Sequence, residues 1–428
     1  MRLLRHACAL LLTTALAVAG YASFAAASPG NGPRTEPASS NVACRDAGAR
    51  ACDLVTRLAR TAARASAGKT ELSPSDLHSA YNLPPNALSP LTVAIVNPYD
   101  SPTVESDLAR FSKMFAIRAC GAGNGCFRKV NQQGARAPLP NADSGFGMEA
   151  DLAAQTIHGI CENCRILLVE ASSTDNNDLA AAMDTAVRLG AKVISTAFTS
   201  AEPLDAAALA THYVRPGVVV TAAAGDHGYG DGPQFPASIP GVVSVGGTHL
   251  DVGANGQYVR ESAWSSLGLS GGSGCSADFA AATWQLPASN RVGCARQRAI
   301  ADVAADADPN TGELVYVSGK LMVGGGTSLA SPLIAGVYAL AGGVSGRTPA
   351  PLLPYAHPGA LHDVSTGNTG YCPPSHPLLC QAARGYDAPT GLGTPDGLTA
   401  FGGSTFLESH HPGVVVAVQN RTVRVSTR

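Results

Sequence analysis

The chain has 428 residues, a formal net charge of −2 and only 14% charged side chains. No basic stripe of the kind that binds nucleic acid is present, so a nucleic-acid partner is not expected. A chain of this length can bury a large core, in one large domain or in two smaller ones.

The first 27 residues have the pattern of a secretory signal peptide. Arg2 and Arg5 form a basic start, an apolar run follows, and Ala25–Ala27 provide a small-residue cleavage site before Ser28. The apolar run is short for a membrane span, although an uncleaved anchor is the alternative. No later segment is long and apolar enough to span a membrane. We therefore expect a secreted, monomeric mature protein with no membrane span.

Eleven cysteines are typical of an exported protein. Removal of Cys8 with the signal peptide leaves ten, which fall into local pairs. The predicted disulfides are Cys44–Cys52, Cys120–Cys126, Cys161–Cys164, Cys275–Cys294 and Cys372–Cys380. A redox or zinc motif is the alternative for Cys161-Glu-Asn-Cys164. A structural disulfide is favoured there, because no second CxxC motif exists and the pair precedes a predicted strand.

Residues 28–72 are predicted to form a short N-terminal segment that includes a helix from Cys44 to about Ala65. From Leu91 onward, short apolar strands alternate with helices, the pattern of a mostly parallel sheet covered by helices on both faces. The predicted elements are strand Leu91–Val96, helix Thr103–Phe115, strand Ile166–Glu170, helix Asp178–Leu189, strand Lys192–Thr196, helix Asp205–Tyr213, strand Gly217–Ala222 and strand Gly241–Val245.

The second half of the chain contains a hairpin and one long helix. Alternating polar and apolar residues predict the hairpin within Gly247–Trp264, and helical spacing predicts a buried helix at about 328–342. The remainder is rich in glycine and proline. These patterns predict a doubly wound α/β domain over 73–401, followed by a tail, 402–428, with a weak strand at Gly413–Val418.

The run Gly324-Gly-Gly-Thr-Ser-Leu-Ala-Ser-Pro332 places Ser328 at the start of the long helix, where a serine peptidase keeps its nucleophile. Glycines let the backbone turn tightly and leave the serine accessible. The N–H groups and the dipole of the first helical turn favour a developing oxyanion. The alternative is a glycine-serine loop that merely begins a helix. An esterase or lipase is disfavoured, because no GxSxG motif surrounds Ser328.

Four motifs in the same order resemble those of the sedolisins, the serine-carboxyl peptidases that share the subtilisin fold. Ser328 resembles the family's nucleophile. Asp226, in Ala-Ala-Gly-Asp-His-Gly, resembles its oxyanion aspartate. Arg298–Gly312 resembles the signature segment upstream of the serine. Asp363-Val364-Ser365 and Ala383–Pro395 together resemble the C-terminal calcium site.

The resemblance implies a subtilisin-like fold over about 73–401, and the cysteine spacings resemble a secreted bacterial branch of the group. Such a protein would act outside the cell or at the bacterial cell envelope. A subtilisin proper matches poorly. Asn97 stands where the first strand would end in aspartate, and His158 lacks the sequence around a catalytic histidine. We expect His158 to be a surface or packing residue.

In the sedolisins, a glutamate acts as general base, and an aspartate one helical turn later supports it. A protonated aspartate helps to form the oxyanion hole, which implies activity at acidic pH. Asp151 matches the supporting aspartate, which puts the base at Gly147. The nearest carboxylate, Glu149, would point away from Asp151 on a regular helix, because two residues span about 200°. Glu149 is therefore expected to act as base only if the first helical turn is irregular, and otherwise to be a solvated acid.

Two functions remain open on this basis. The first is a secreted endopeptidase that cleaves polypeptides through an acyl-enzyme on Ser328. The second is a weak or inactive homologue that keeps the fold to bind peptides or as a structural protein; Gly147 favours it.

The resemblance also implies a structural calcium ion. Calcium prefers six or more oxygen ligands and accepts both carboxylates and backbone carbonyls. Asp363 and Asp387 would provide carboxylates, and Val364, Ala383 and Gly385 would provide carbonyls. The alternative is an acidic, glycine-rich surface loop that binds no metal.

Overall fold

The computed structural model describes residues 69–403 and, by backbone alone, six short strands beyond that range. Those strands are Ser40–Val42, Ala51–Cys52, Val55–Leu58, Phe406–Glu408, Val414–Gln419 and Thr422–Thr427. The expected signal peptide and Cys44, with its expected disulfide, lie outside the described residues.

The helix expected from Cys44 to Ala65 is wrong where the backbone is described. Ala51–Cys52 and Val55–Leu58 are strands, and Val55–Leu58 pairs antiparallel with Lys320–Gly325. An available sheet edge and a β-branched segment therefore override the local helical spacing. The strand expected at Gly413–Val418 is present at Val414–Gln419.

Eight strands form the central sheet. They are β1 Thr92–Pro98, β2 Phe127–Asn131, β3 Arg165–Ala171, β4 Val193–Thr196, β5 Val219–Ala223, β6 Val243–Val252, β7 Tyr258–Ala263 and β8 Val303–Asp306. The strand order is β7-β6-β5-β4-β1-β3-β2, and β8 also pairs with β6. All pairs are parallel except the β6–β7 hairpin. The predicted, mostly parallel sheet is confirmed.

Helices cover both faces of this sheet. They are α1 Pro74–Ala80, α2 Val104–Met114, α3 Ser144–Ile160, α4 Asn176–Arg188, α5 Ala206–Tyr213, α6 Leu286–Val292, α7 Thr327–Leu340 and α8 Leu352–Ala356. Side chains alternate along a strand. Accordingly, Val93 and Ile95 of β1 lie in a core with α3 and α7, whereas Ala94 and Val96 lie in a second core with α4 and α5. The doubly wound architecture is confirmed.

Smaller elements surround the sheet. The hairpin β9 Glu313–Val317 and β10 Lys320–Gly325 leads directly into α7. Short strands pair as Phe198–Ala201 with Gln234–Phe235, Ser265–Ser266 with Leu269–Ser270, Gly274–Ala280 with Gln297–Ile300, and Leu361–His362 with Thr394–Pro395. Single 3₁₀ turns occur at Ala122–Asn124, Gly228–Asp231, Pro358–Ala360, Pro377–Leu379 and Thr399–Phe401.

Four of the five predicted disulfides are present among the described residues, namely Cys120–Cys126, Cys161–Cys164, Cys275–Cys294 and Cys372–Cys380. The CxxC motif is therefore a disulfide rather than a metal site in this structure. No helix in the described part of the chain is long and apolar enough to cross a membrane.

Candidate active site

Ser328 is the second residue of α7 and is almost completely buried. The helix follows Gly326, whose φ of +83° is strained for any residue with a side chain. Ser331 anchors the first turns of α7 on the sheet. Its hydroxyl donates to the Thr196 carbonyl at 3.0 Å, and the Thr221 hydroxyl donates to the Ser331 carbonyl at 3.1 Å. The sequence motif thus holds Ser328 against β4 and β5.

Glu149 lies directly beside Ser328. The Ser328 Oγ donates to Glu149 Oε1 at 2.9 Å, and both side chains are buried. Helix α3 is regular from Ser144, because Asp143 caps it by accepting from the amides of Gly145 and Phe146. The expectation that Glu149 reaches the serine only through an irregular first turn is therefore wrong.

Asp151 faces away from Ser328, towards the start of α2. The Thr103 hydroxyl donates to its Oδ2 at 3.4 Å. Burial raises the pKa of Asp151 to about 8, and the nearby Asp107 carboxylate adds to the rise. Gly147 shares this face, because a Cβ placed on it would lie 3.7 Å from the Oγ of Ser101, which stands with Thr103 in the segment just before α2. Positions 147 and 151 therefore form one face of α3, as expected, but the serine meets the face that carries Glu149.

This geometry shifts the comparison with the sedolisin motif by two residues. If Glu149 corresponds to the glutamate of the motif, the residue one helical turn later is Ala153 rather than Asp151. Ala153 is buried and carries no acid. The position that departs from the motif is then the supporting aspartate rather than the base.

Asp226 follows β5 and lies next to the residue that precedes Ser328. The backbone N–H and the hydroxyl of Thr327 both donate to Asp226 Oδ1 at 2.8 Å. The Gly225 amide donates to the Thr327 hydroxyl at 3.1 Å, and the Ser270 amide donates to the Asp226 carbonyl at 2.9 Å. The structure therefore gathers Ser328, Glu149 and Asp226 around the start of α7. Thr327 was not predicted as a site residue, although it stands inside the serine motif.

A small pocket opens beside Asp226. Its lining combines small and polar residues, namely Thr199, Ala224, Gly225, Asp226, His227, Gly228, Asp231, Gln234 and Gly272. At its mouth, His227 Nδ1 lies 3.4 Å from Asp231 Oδ2. Seven of these nine residues lie within 224–234, but the pocket was not predicted, because Thr199 and Gly272 complete it from segments that are distant in sequence.

Neither Asn97 nor His158 forms part of a subtilisin triad. Asn97 donates to the Phe146 carbonyl at 2.8 Å. His158 is buried, and its Nε2 lies 2.6 Å from the Arg118 carbonyl oxygen. Burial lowers the pKa of His158. It is therefore a packing residue.

The five predicted calcium ligands come from two loops that meet. The Gly385 amide donates to both oxygens of Asp363, at 3.0 and 2.9 Å, and the Ala383 amide donates to Asp387 Oδ2 at 2.8 Å. The Thr390 hydroxyl bridges the loops, because it donates to Asp387 at 2.8 Å and approaches the Val364 carbonyl at 3.4 Å. Burial raises the pKa of Asp387 to about 7, and the Asp363 charge adds to the rise.

The ligand set of these loops fits a hard cation. Each carboxylate oxygen has lone pairs beyond those used by one amide. Arg291 binds the carbonyls of Arg384 and Tyr386, at 2.6 and 2.8 Å, so it engages the carbonyls between the expected ligands. Two carboxylates with several carbonyls is the combination that Ca²⁺ prefers.

Comparisons with known proteins agree with the fold and with the resemblance to the sedolisins. Residues 137–345 match the model of the subtilase family, peptidase S8. Kumamolisin from Bacillus sp. (strain MN-32) is 38% identical over 211 residues, which cover 46% of this chain and 36% of kumamolisin. Sedolisin from Pseudomonas sp. (strain 101) is 32% identical over 286 residues, which cover 58% of this chain and 47% of sedolisin.

A solved structure extends the similarity to most of the described chain. Pseudomonas sedolisin, a serine-carboxyl proteinase complexed with two molecules of pseudo-iodotyrostatin, superimposes with a TM-score of 0.65 at 26% identity. The match covers 78% of this chain and 96% of that structure. The chain spans less than half the length of the curated relatives that it matches.

Proposed function

This chain belongs to the sedolisin family of serine-carboxyl peptidases and has the subtilisin-like fold, and from this premise we propose that it is an endopeptidase that cleaves polypeptides through an acyl-enzyme on Ser328. One observation carries the proposal. Ser328 Oγ and Glu149 Oε1, 179 positions apart in sequence, are joined by a buried hydrogen bond of 2.9 Å. A serine nucleophile needs a base at this distance to take its proton.

The first half of the reaction forms the acyl-enzyme. Ser328 Oγ attacks the peptide carbonyl carbon, its proton moves to Glu149 Oε1, and the carbonyl π electrons move to the oxygen. The positive end of α7 and a protonated Asp226 stabilise this oxyanion. The C–N bond then breaks, and Glu149 returns the proton to the leaving amine. A water molecule repeats these steps on the acyl-enzyme, with Glu149 as base, and releases the acid and Ser328.

This mechanism needs two carboxyl groups in opposite protonation states. Glu149 must be ionised to accept a proton, while Asp226 must hold one to donate a hydrogen bond. Neighbouring carboxyls reach such a state when the environment separates their affinities for the proton. We therefore propose that the activity lies at acidic pH.

The second candidate, a weak or inactive homologue, has one observation in its favour. Ala153 occupies the position one helical turn after Glu149. The position that the resemblance to the sedolisins assigns to a supporting aspartate therefore carries no acid. Binding of peptides in the same cleft would then be the remaining function.

One assay separates the two candidates. The purified chain is incubated with an unfolded protein substrate between about pH 3 and 7, where carboxyl groups with shifted pKa values titrate. We expect turnover that Ser328→Ala abolishes and that Glu149→Gln lowers by about 10²- to 10⁴-fold, the usual contribution of a general base. Glu162→Gln, just beyond the other end of α3, is the matched control and should retain full activity. Absence of turnover by the native chain throughout this range would reject the peptidase in favour of the inactive homologue.

Two further proposals concern the setting of the enzyme. We propose that Asp363 and Asp387, with the carbonyls of Val364, Ala383 and Gly385, hold a structural Ca²⁺ that ties the two C-terminal loops together. We also propose that the protein is exported. Four disulfides within residues 69–403 support export, because disulfides persist in oxidising compartments.

A further inference from the structure

Thr327 directs all of its hydrogen-bond donors at one atom. Its backbone N–H and its hydroxyl both donate to Asp226 Oδ1 at 2.8 Å, and its side chain is fully buried. The Gly225 amide donates to the same hydroxyl at 3.1 Å. Because that amide occupies a lone pair of the hydroxyl oxygen, the single hydroxyl proton is left to point at Asp226.

Two donors on Oδ1 decide where Asp226 carries a proton. A proton placed on Oδ1 would have to share that oxygen with an N–H and an O–H that already point at it. When Asp226 is protonated, the proton therefore belongs on Oδ2. A carboxylic acid can donate a hydrogen bond only from the oxygen that bears its proton.

We propose that Thr327 is a positioning residue of the oxyanion site, which places the proton of Asp226 on Oδ2 and sets the upper pH at which Asp226 can act as a donor. The proposal rests on the proposed peptidase function. Thr327 touches neither the substrate nor the reacting atoms in this scheme, and it acts through Asp226 alone.

The direction of the pH effect follows from the donors. Hydrogen bonds to an ionised carboxylate favour the ionised form, so the Thr327 hydroxyl makes Asp226 release its proton at lower pH than it otherwise would. Within residues 69–403, the titratable groups near Asp226 include Glu149 on α3, reached through Ser328, and His227 and Asp231 at the pocket. A change at Thr327 leaves all three in place, so the difference between variant and native chain reports the hydroxyl.

The test uses the full chain with three substitutions at one position. Thr327→Val and Thr327→Ala remove the hydroxyl, and Thr327→Ser keeps it. Thr221→Val is the matched control, because it removes a buried threonine hydroxyl that also contacts α7 but does not touch Asp226. Thermal unfolding verifies that each variant folds, and the Ala variant replaces the Val variant if the latter does not.

The first readout is the pH profile of peptide hydrolysis. We expect Thr327→Val to lower kcat about tenfold, less than the 10²- to 10³-fold of removing an oxyanion donor outright, with KM little changed. The pH at which activity declines on the alkaline side should rise by about one unit. This shift corresponds to the loss of one hydrogen bond to the ionised carboxylate. Thr327→Ser should behave like the native chain. Identical profiles for Thr327→Val and the native chain, or for Thr327→Ser and Thr327→Val, would overturn the proposal.

The second readout does not depend on turnover. The carbon-13 shift of the Asp226 carboxyl, assigned with Asp226→Asn, is followed against pH in a Ser328→Ala background. Its midpoint should rise in Thr327→Val and Thr327→Ala but not in Thr327→Ser or Thr221→Val. An unchanged midpoint in the first two variants overturns the role of Thr327. A native chain without turnover defeats the peptidase proposal instead, so the two failures are distinguishable.

Discussion

Glu313 offers a test of the structure that does not depend on the proposed activity. It begins β9, is fully buried, and accepts a hydrogen bond from the Thr156 hydroxyl of α3 at 2.6 Å. Within residues 69–403, no lysine, arginine or histidine forms an ion pair with it. Burial raises its pKa from 4.5 to about 8, and the Thr156 hydrogen bond opposes the rise.

The sign of the pH effect follows from this shift. The folded chain binds the Glu313 proton more tightly than the unfolded chain does, so its contribution to stability is complete below about pH 4.5. It is lost as the pH rises towards 8. The difference between the two pKa values corresponds to roughly 5 kcal/mol of unfolding free energy. Glu313→Gln keeps the size of the neutral acid but cannot ionise, so it should avoid this loss.

Urea unfolding in steps across this pH range measures the effect. The variant should gain stability over the native chain with rising pH, at up to about 1.4 kcal/mol per pH unit. Glu105→Gln, at an exposed position on α2, controls for the amide substitution and should give a difference that does not vary with pH. Asp151, Glu170 and Glu261 also have pKa values raised by burial, but they are common to both chains. A constant difference between Glu313→Gln and the native chain from pH 4 to 8.5 would refute the reasoning.

The remaining predictions concern the metal, the supporting acid and the core. A chelator should lower the Tm of the native chain, and added Ca²⁺ should restore it, with a rise that follows the logarithm of the Ca²⁺ concentration above the dissociation constant. Asp387→Asn should respond to neither, and an unaltered native Tm would contradict the calcium site. Ala153→Asp should raise kcat above that of an Ala153→Asn control, whereas Gly147→Glu should not raise kcat above that of the native chain. The reverse result would show that position 147 is the base position. Asp302→Asn leaves the buried Arg298 without its charged partner, 2.6 Å away, and should cost about 3–5 kcal/mol in urea unfolding; a cost below about 1 kcal/mol would contradict the buried pair.

The interior strands were predictable because they are buried on both faces and therefore read as apolar runs. The strand predicted at Lys192–Thr196 is β4, and that predicted at Ile166–Glu170 is β3. The edge strand β2 was missed. It contains Arg128 and Lys129, which an edge can accommodate because one side of the strand remains near solvent.

Two members of the candidate site were predictable for a local reason. Ser328 lies within a short motif that joins a strand to a helix, and Asp226 lies just after a strand and a glycine. The resemblance to the sedolisins implied that these two residues act in one site, whereas β10, the strand before Ser328, belongs to an antiparallel hairpin outside the parallel sheet. Their contact runs through Thr327, and only the tertiary structure reveals it.

Helical spacing could not decide between the two acids of α3. Spacing determines that Glu149 and Asp151 occupy different faces, but packing determines which face meets α7. Asp151 contacts the start of α2, and with a pKa near 8 it is neutral at acidic pH, so it cannot provide a negative charge there. Glu149 meets the serine. The departure from the sedolisin motif thereby moves from Gly147 to Ala153, and the proposed base is the acid that packing, rather than spacing, brings to the serine.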